Sequence, residues 1–226
     1  FIKIFNKNFE IKMLTQRNHK LKSKTQIVGP YLNNGIPNVL DFLKCSKINN
    51  SFFSNYFEKL NSKILDVNDK QLFAAIQLIL KTNQNKKKLM IFGNGGSAAI
   101  ASHIAVDFTK AVRIRATNYN EADLITCLSN DFGYQYWVSQ AIEFYADKGD
   151  IIILISSSGT SSNILNGAKK ANEMGLKVIS FTEYKKDNEV SKNSNLNFWV
   201  DSNEYNIIEM AHHVWLVSLI DYIEEL

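Results

Sequence analysis

Histidine and carboxylate side chains recur at helical spacing in two segments of the sequence. His103 and Asp107 are four residues apart, and Glu209 is followed by His212 and His213. Side chains at these spacings project from one face of a helix. Imidazole and carboxylate groups gathered in this way can act as general acids and bases, and four of them together can bind a divalent metal such as zinc. Ordinary surface or core positions for these histidines remain the alternative.

A glycine-rich turn, GNGGS at 93–97, follows a short apolar segment. Gly93, Gly95 and Ala98 match the GxGxxA pattern of dinucleotide sites. Such a site also needs an acidic residue about 20 positions further on, and Asp131 lies well beyond that distance. The phosphate-loop pattern, GxxxxGK followed by Ser or Thr, is absent from the sequence. We therefore expect no nucleotide cofactor, and either a sugar-binding turn or a purely structural one.

A serine-rich loop, SSSGTSSN, occupies residues 156–163 directly after another apolar segment. Its hydroxyl groups and the free backbone N–H groups at the start of the following helix together form a cradle for an anion. The loop contains no lysine or arginine, which favours a sugar monophosphate over a magnesium-bound triphosphate. The alternative is a flexible loop with an ordinary helix cap.

Apolar segments alternate with amphipathic segments along most of the chain. We predict strands at 88–92, 123–129, 150–156, 176–182 and 196–201 and helices at 97–111, 134–146, 162–175 and 204–225, with further helices in 39–66 and 68–84. This alternation is typical of a parallel sheet that is covered by helices on both faces. The predicted fold class is therefore α/β, a three-layer, doubly wound, five-stranded parallel sheet with additional N-terminal helices.

In such a sheet the ligand binds at the carboxyl ends of the strands. Three polar loops are predicted at that edge, at 93–97, 129–133 and 156–161. The middle loop brings Asn130 and Asp131 to the candidate site, although Asp131 is also a suitable helix N-cap. Because all three loops are polar, we expect them to form one binding site.

The motifs FGNGGSAAIASH, LSNDFG and ISSSGTSSN, in this order, resemble those of the SIS (sugar isomerase) domain family, in particular its phosphoheptose isomerase branch. The resemblance covers residues 40–226 and implies a flavodoxin-like strand order. It implies a phosphate clamp made of Ser156, Ser157, Ser158 and Ser161, with Thr160 where the family usually has asparagine. The residues that it implies for the sugar chain are Asn94, Gly95, Gly96, Ser97, Asn130 and Asp131.

The same resemblance implies the groups that act on the sugar. The family carries a His and a Glu one turn apart, which correspond to His103 and Asp107. Its last helix carries a Gln and two His, which correspond to Glu209, His212 and Val217. Because valine transfers no proton, we take His213 as a hypothetical substitute for the second histidine. The tentative zinc ligands are His103, Asp107, Glu209 and His213, and acid–base chemistry without a metal stays open.

These features predict an aldose–ketose isomerase that moves a proton between neighbouring carbons through an enediol. The reaction implied by the resemblance converts sedoheptulose 7-phosphate to D-glycero-D-manno-heptose 7-phosphate, a precursor of heptose in lipopolysaccharide. The resemblance also implies a homotetramer with its sites at subunit interfaces. Two alternatives remain. One is a non-catalytic SIS protein that binds a phosphosugar as a regulator or assembly factor, and the other is a nucleotide-dependent enzyme.

Charge is distributed unevenly along the 226 residues. The net charge is +4, but residues 1–37 contain seven Lys or Arg and one Glu, so the rest of the chain is slightly acidic. We therefore predict a basic, disordered segment over 1–37 and a single domain over 38–226, with no nucleic-acid partner. Met13 is a candidate initiator, because the sequence begins with Phe.

The apolar segments and the cysteine content indicate where in the cell the protein is expected. No apolar run reaches the roughly 18–20 residues that a membrane helix needs, so we expect no membrane partner. The only cysteines, Cys45 and Cys127, provide no disulfide framework. A reducing compartment, the cytoplasm, fits this cysteine usage.

Overall fold

The computed structural model describes residues 51–183 and 185–226. Its helices are α1 (Phe52–Leu65), α2 (Asp69–Gln84), α3 (Gly96–Lys110), α4 (Ala122–Phe132), α5 (Trp137–Tyr145), α6 (Ser162–Glu173), α7 (Glu189–Lys192) and α8 (Tyr205–Glu224). Its strands are β1 (Leu89–Gly93), β2 (Ala116–Asn118), β3 (Ile151–Ser156), β4 (Lys177–Thr182) and β5 (Leu196–Trp199). The predicted basic segment, the domain boundary at residue 38 and the candidate start at Met13 lie outside the described residues.

The five strands form one parallel sheet in the order β2-β1-β3-β4-β5. This order confirms the predicted α/β fold and its flavodoxin-like strand arrangement. Strands β1 and β3 are buried at every position, as expected of strands that are covered on both faces. At the carboxyl end of the sheet, Ile155 pairs with Gly93 on one side and Ser156 pairs with Thr182 on the other. The loops that follow these residues therefore leave the sheet at one edge.

Alternate side chains of the central strands enter two separate apolar cores, because successive residues of a strand point to opposite faces. On one face Ile91, Ile153 and Ile179 pack with buried residues of α2, α3 and α8. On the other face Phe92 and Leu154 pack with buried residues of α5 and α6. The result is the three-layer arrangement expected from the alternating pattern.

The last helix, α8, lies beside α3 on one face of the sheet, and the two helices contact each other. Half of the residues of α8 are buried, which explains why its sequence is apolar nearly all round. Trp215 of α8 also donates a hydrogen bond of 2.8 Å to the carbonyl oxygen of Ile64 in α1. This packing brings the candidate residues of α3 and α8 towards one another.

The predicted strand at 123–129 is wrong, because these residues lie within α4. The apolar residues Leu124, Ile125 and Leu128 recur at helical spacing, and Leu128 alone of the α4 residues is buried. The actual second strand, β2, has three half-buried residues, Ala-Thr-Asn, at the edge of the sheet. A strand this short carries no apolar run that would predict it. The polar loop expected at 129–133 is therefore not the end of a strand.

The two helices that precede the sheet agree with the predicted helical spacing in the part that the structure describes. The first, α1, accounts for the described part of the prediction over 39–66, and α2 begins one residue after Asn68. The Asn68 side chain accepts a hydrogen bond from the backbone N–H of Lys70, which is the N-cap interaction that its position suggested. Across 51–183 and 185–226, no helix is both long and apolar enough to cross a bilayer.

Candidate functional site

The loops that follow β1 and β3 are joined by a pair of asparagine side chains. The Asn94 amide donates to Asn163 at 3.0 Å, and the Asn163 amide donates back to Asn94 at 2.8 Å. The Tyr134 hydroxyl, from the turn before α5, also donates to the Asn94 oxygen at 3.2 Å. Asn163 lies in the first turn of α6, directly after the serine-rich loop. The glycine turn and the serine loop are therefore held together at the carboxyl edge of the sheet.

The serine loop presents buried hydroxyl groups that have no partner within the protein. Ser156 and Ser157 are both buried, and neither hydroxyl makes a hydrogen bond of ordinary geometry, although the Ser157 side chain lies close enough to act on the Tyr205 hydroxyl. The Ser158 and Ser161 hydroxyls lie 3.3 Å apart, and Ser161 is the residue that precedes α6. Its side chain makes no capping bond, so the first N–H groups of α6 keep their capacity to bind an anion. Hydroxyls and helix amides together have the chemistry of a phosphate clamp.

The glycine turn allows a carboxyl group from α8 to approach the backbone. A Cβ atom added at Gly96 would lie 2.3 and 2.5 Å from the two carboxyl oxygens of Glu209. A Cβ atom at Gly93 would lie 2.5 Å from backbone atoms of Ser97. Glycine is therefore required at position 93 by backbone contacts, whereas a side chain at position 96 would displace the Glu209 carboxyl group. Ser97 itself is buried at the start of α3, beside Glu209.

Glu183, which the motifs did not single out, is the first residue after β4. It is 1% exposed, and one of its carboxyl oxygens is buried without a hydrogen-bond partner. Burial, and then the charge of Glu209, raise the pKa of Glu183 to about 7. Its position at the carboxyl end of a central strand is the only sequence signal that could have identified it, by the reasoning that selected the loops after β1 and β3.

Burial also raises the pKa values of two groups close to Glu183, namely Glu209 and Tyr205. Burial raises the pKa of Glu209, although the Tyr205 hydroxyl and the Ser97 amide oppose this shift. The pKa of Tyr205 is raised by burial and by the Glu209 charge, and the Ser157 side chain opposes the shift. Tyr205 therefore lies between the serine loop and the two carboxyl groups. The structure brings three buried residues, Ser157, Glu183 and Glu209, together with the more exposed Tyr205 into one polar cluster, which we call the edge cluster.

Four oxygens at this edge are buried without a partner, one each on Ser156, Ser157, Glu183 and Glu209. Leaving a buried polar group unsatisfied costs about 1–3 kcal/mol. A group of such atoms at the carboxyl edge of a parallel sheet is the arrangement expected where a polar ligand supplies the missing partners.

A second group of candidate residues forms a chain of three side chains on α3 and α8. Asp107 lies 3.0 Å from Nε2 of His103, and Nδ1 of His103 lies 2.8 Å from Nε2 of His213. When Asp107 accepts the Nε2 proton of His103, Nδ1 of His103 accepts from His213, and Nδ1 of His213 is left as a free base. Burial and the neighbouring His103 lower the pKa of His213, which keeps its imidazole neutral at pH 7.

His212 does not join this chain. Adjacent residues on a helix point about 100° apart, and the His212 ring lies fully buried between the rings of Phe181 and Trp215. Burial lowers its pKa to about 4, and Nε2 lies 3.3 Å from the carbonyl oxygen of Thr182. This environment favours a role in the core over the catalytic role predicted for it. Val217 packs against the same core.

Asn130 and Asp131 lie in the last turn of α4, and both are exposed. Asp131 accepts from the amide of Asn130 at 3.0 Å. The suggestion that Asp131 caps a helix N-terminus is wrong, because it lies near the C-terminal end of α4. The hydrogen bonds of the described residues do not link this pair to the serine loop, so its proposed contact with the sugar remains a prediction.

The four tentative zinc ligands are not arranged around one point. Both ring nitrogens of His103 are occupied by contacts with His213 and Asp107. Glu209 belongs instead to the edge cluster, where its carboxyl group lies against Gly96. In the part of the chain that the structure describes, no three His, Cys, Asp or Glu side chains are grouped so that they could hold a metal ion. These donors therefore fit a proton relay better than a metal site.

The SIS domain family matches residues 52–183, which is more than half of the chain. The chain is 31% identical to the phosphoheptose isomerase of Campylobacter concisus over 157 residues, which cover 67% of this chain and 82% of that protein. It is 29% identical to that of Helicobacter pylori strain P12 over 168 residues, which cover 72% of this chain and 87% of that protein.

Solved structures agree with the fold. The structure of the phosphoheptose isomerase of Neisseria gonorrhoeae superposes with a TM-score of 0.70 at 22% sequence identity, over 84% of this chain and all of that chain. A likeness at this identity supports the fold, and the sequence matches support the family. The chain belongs to the SIS domain family.

Proposed function

We propose that the protein is a sugar-phosphate isomerase that converts sedoheptulose 7-phosphate to D-glycero-D-manno-heptose 7-phosphate. Its curated relatives are named phosphoheptose isomerases, and they match across most of their own length. The observation that carries the proposal is the serine loop. Its buried, unpartnered hydroxyls and the open N-terminus of α6 supply the donors that a phosphate dianion needs.

The reaction needs a base that removes a proton from one carbon of the sugar and returns it to the neighbouring carbon. We call the hydrogen-bonded side chains Asp107, His103 and His213 the relay. The relay supplies the neutral imidazole of His213, and the hydrogen bond from its Nε2 to His103 leaves Nδ1 as the free nitrogen. Asp107 also stabilises the positive charge that develops when the base takes up a proton. We assign the catalytic base to this relay and the phosphate to the serine loop.

The relay is separated along α3 from the glycine turn, which the Asn94–Asn163 pair joins to the serine loop. Ser97 and His103 are six residues apart on α3, which at a rise of 1.5 Å per residue is about 9 Å. A seven-carbon sugar with its phosphate on C7 has its reacting carbons, C1 and C2, at the opposite end. This separation supports a long phosphosugar as substrate, with the chain between its ends lying across the glycine turn.

The quaternary structure supported by these features is a homotetramer with sites at subunit interfaces. Three aromatic residues of α1, namely Phe52, Phe53 and Phe57, are more than half exposed. The His103 side chain is also about half exposed, at 51%, so the relay is open to a further protein surface. A bound zinc ion and a cytoplasmic location remain predictions, as does the absence of nucleotide and nucleic-acid partners.

The alternative function, a non-catalytic protein that senses a phosphosugar, would need the clamp but not the relay. The alignment of Asp107, His103 and His213 within hydrogen-bonding distance favours the enzyme, because a sensor has no use for a free imidazole base. Binding of the sugar phosphate without turnover would favour the sensor.

The first prediction concerns the clamp. Replacing Ser157 by Ala should raise KM for sedoheptulose 7-phosphate about 10- to 100-fold, because a hydrogen bond to a charged group contributes roughly 1.5–3 kcal/mol. Stability of the free protein should fall little, since the hydroxyl has only its interaction with Tyr205 to lose. The control is Ser194→Ala, at the other end of the sheet, which removes a hydrogen bond to the Val190 carbonyl oxygen and should leave KM unchanged. Steady-state kinetics with an unchanged KM for Ser157→Ala would contradict the clamp.

The second prediction concerns the relay. His213→Ala should lower kcat about 10²- to 10⁴-fold with little change in KM, because general base catalysis contributes this much to the rate. Val214→Ala, a partly exposed neighbour on α8, serves as the control and should retain full activity. Wild-type turnover by a folded His213→Ala protein would exclude this histidine as the base.

The third prediction concerns assembly. Size-exclusion chromatography with light scattering should give the mass of four chains. Replacing Phe53 and Phe57 together by Ser should release smaller species, because these rings form a large part of the exposed apolar surface of α1. An active monomer would contradict sites that are completed at subunit interfaces.

A further inference from the structure

Glu183 leaves the sheet beside the phosphate clamp. Ser156 of β3 pairs directly with Thr182 of β4, so the next residues on these strands are Ser157 and Glu183. Neighbouring strands lie about 4.8 Å apart, which sets the spacing at which the two side chains start. Both are buried, and each has an oxygen without a partner. Both side chains also act on the Tyr205 hydroxyl, so Glu183 and the clamp residue Ser157 lie in the same cluster.

A negative charge at this position conflicts with a phosphate ligand. A phosphate monoester carries a charge of about −1.5 to −2 at pH 7. The ionisable groups that face Glu183 are Glu209 and Tyr205, both on α8, and neither supplies a positive charge. Lys186, three residues further on, places its amine over the ring of Trp199 instead. Among the described residues, no lysine or arginine offsets the charge of Glu183.

A neutral carboxylic acid removes the conflict. In that form Glu183 contributes an O–H donor as well as an acceptor, and a phosphate or sugar oxygen can accept its hydrogen bond. An ionised Glu183 carboxylate could only accept hydrogen bonds, and its negative charge would repel the phosphate in a buried site of low polarity.

We propose that Glu183 contacts the substrate as a neutral carboxylic acid, donating a hydrogen bond beside the serine clamp, so that sugar-phosphate binding requires a proton at this residue. This inference rests on the proposed function, and it adds a specificity-determining residue to that site. No bond is made or broken at Glu183. It binds the end of the substrate that carries the phosphate, while the relay acts on the reacting carbons.

The protonation state required by the proposal agrees with the surroundings of Glu183. Its pKa of about 7 in the free protein means that roughly half of the molecules carry the proton at neutral pH. A bound phosphate dianion raises this pKa further, because it adds negative charge nearby. Above pH 7 an increasing fraction of the free protein has lost the proton from Glu183. In these molecules Glu183 must take up a proton when the sugar phosphate binds.

The fourth prediction tests this proton requirement. Between pH 7.5 and 9, KM of the wild-type protein for sedoheptulose 7-phosphate should rise about tenfold per pH unit once the free carboxyl group is ionised. The Glu183→Gln variant keeps a neutral donor of the same shape, so its KM should stay nearly constant over this range. Glu173→Gln, at an exposed position of α6, should retain the wild-type profile. The lowered pKa of His213 and the raised pKa of Tyr205 place both titrations outside this range.

A measurement without ligand checks that the variant is folded. The pKa of Glu183 is raised in the folded state, so the group favours folding below about pH 4.5, and this contribution is lost as pH rises through 7. Glu183→Gln should therefore have a higher Tm than wild type at pH 8, and the difference should shrink towards pH 4.5. If Glu183→Gln is more stable than wild type and its KM no longer changes with pH, then Glu183 acts by contacting the ligand and not by maintaining the fold.

Two results would overturn the inference. A Glu183→Gln protein whose KM keeps the wild-type rise with pH would assign the proton to another group. A wild-type KM that does not change between pH 7.5 and 9 would remove the proton requirement while leaving the isomerase intact. Failure of the wild-type protein to bind or convert sedoheptulose 7-phosphate would instead overturn the proposed function, and this inference with it.

Discussion

The pairing of Ser156 with Thr182 is the contact on which the candidate site depends. It fixes where two central strands end relative to each other, and so it sets Ser157 and Glu183 side by side. Both strands are buried on both faces, so their polar side chains can reach a ligand only at the carboxyl edge. A shift of one residue in this register would turn the alternating side chains of a strand to the other face and separate the serine loop from the carboxyl groups.

The edge cluster and the relay lie in different physical environments and have different proposed roles. Three members of the edge cluster are buried, and each has an oxygen without a hydrogen-bond partner, which suits a ligand that brings its own hydrogen-bonding groups. The relay is more exposed, and its three side chains pair with one another except for the free Nδ1 of His213. Glu209 belongs to the first environment and His213 to the second, although both lie on α8. One helix therefore connects phosphate recognition to proton transfer.

The sequence predicted the parts of the fold that bury long apolar runs. Strands β1, β3 and β4 were recognised because helices cover both of their faces, which leaves continuous apolar segments, and β5 was recognised from its apolar residues although only Phe198 is buried. Strand β2 was missed because three half-buried residues at a sheet edge form no such run. The helix α4 was taken for a strand because its apolar residues are nearly consecutive, and this error moved Asn130 and Asp131 to a strand end that does not exist.

The site could be predicted only where polar residues form a motif. The glycine turn and the serine loop have unusual compositions, and the spacing of His103 and Asp107 matches a helix turn. Glu183 has no motif, because a single glutamate after a strand looks like any solvated loop residue. Its importance follows from burial and from the neighbouring strand, which depend on tertiary contacts. The separation of His212 from His213 likewise became visible only once α8 was packed against the sheet.

A crystal structure with sedoheptulose 7-phosphate bound to a slowly reacting variant tests the central claim most directly. We predict the phosphate at the start of α6, within hydrogen-bonding distance of Ser157 and Glu183, and the C1–C2 end of the sugar next to His213. A phosphate bound away from the serine loop, or a sugar whose reacting carbons lie far from the relay, would contradict it.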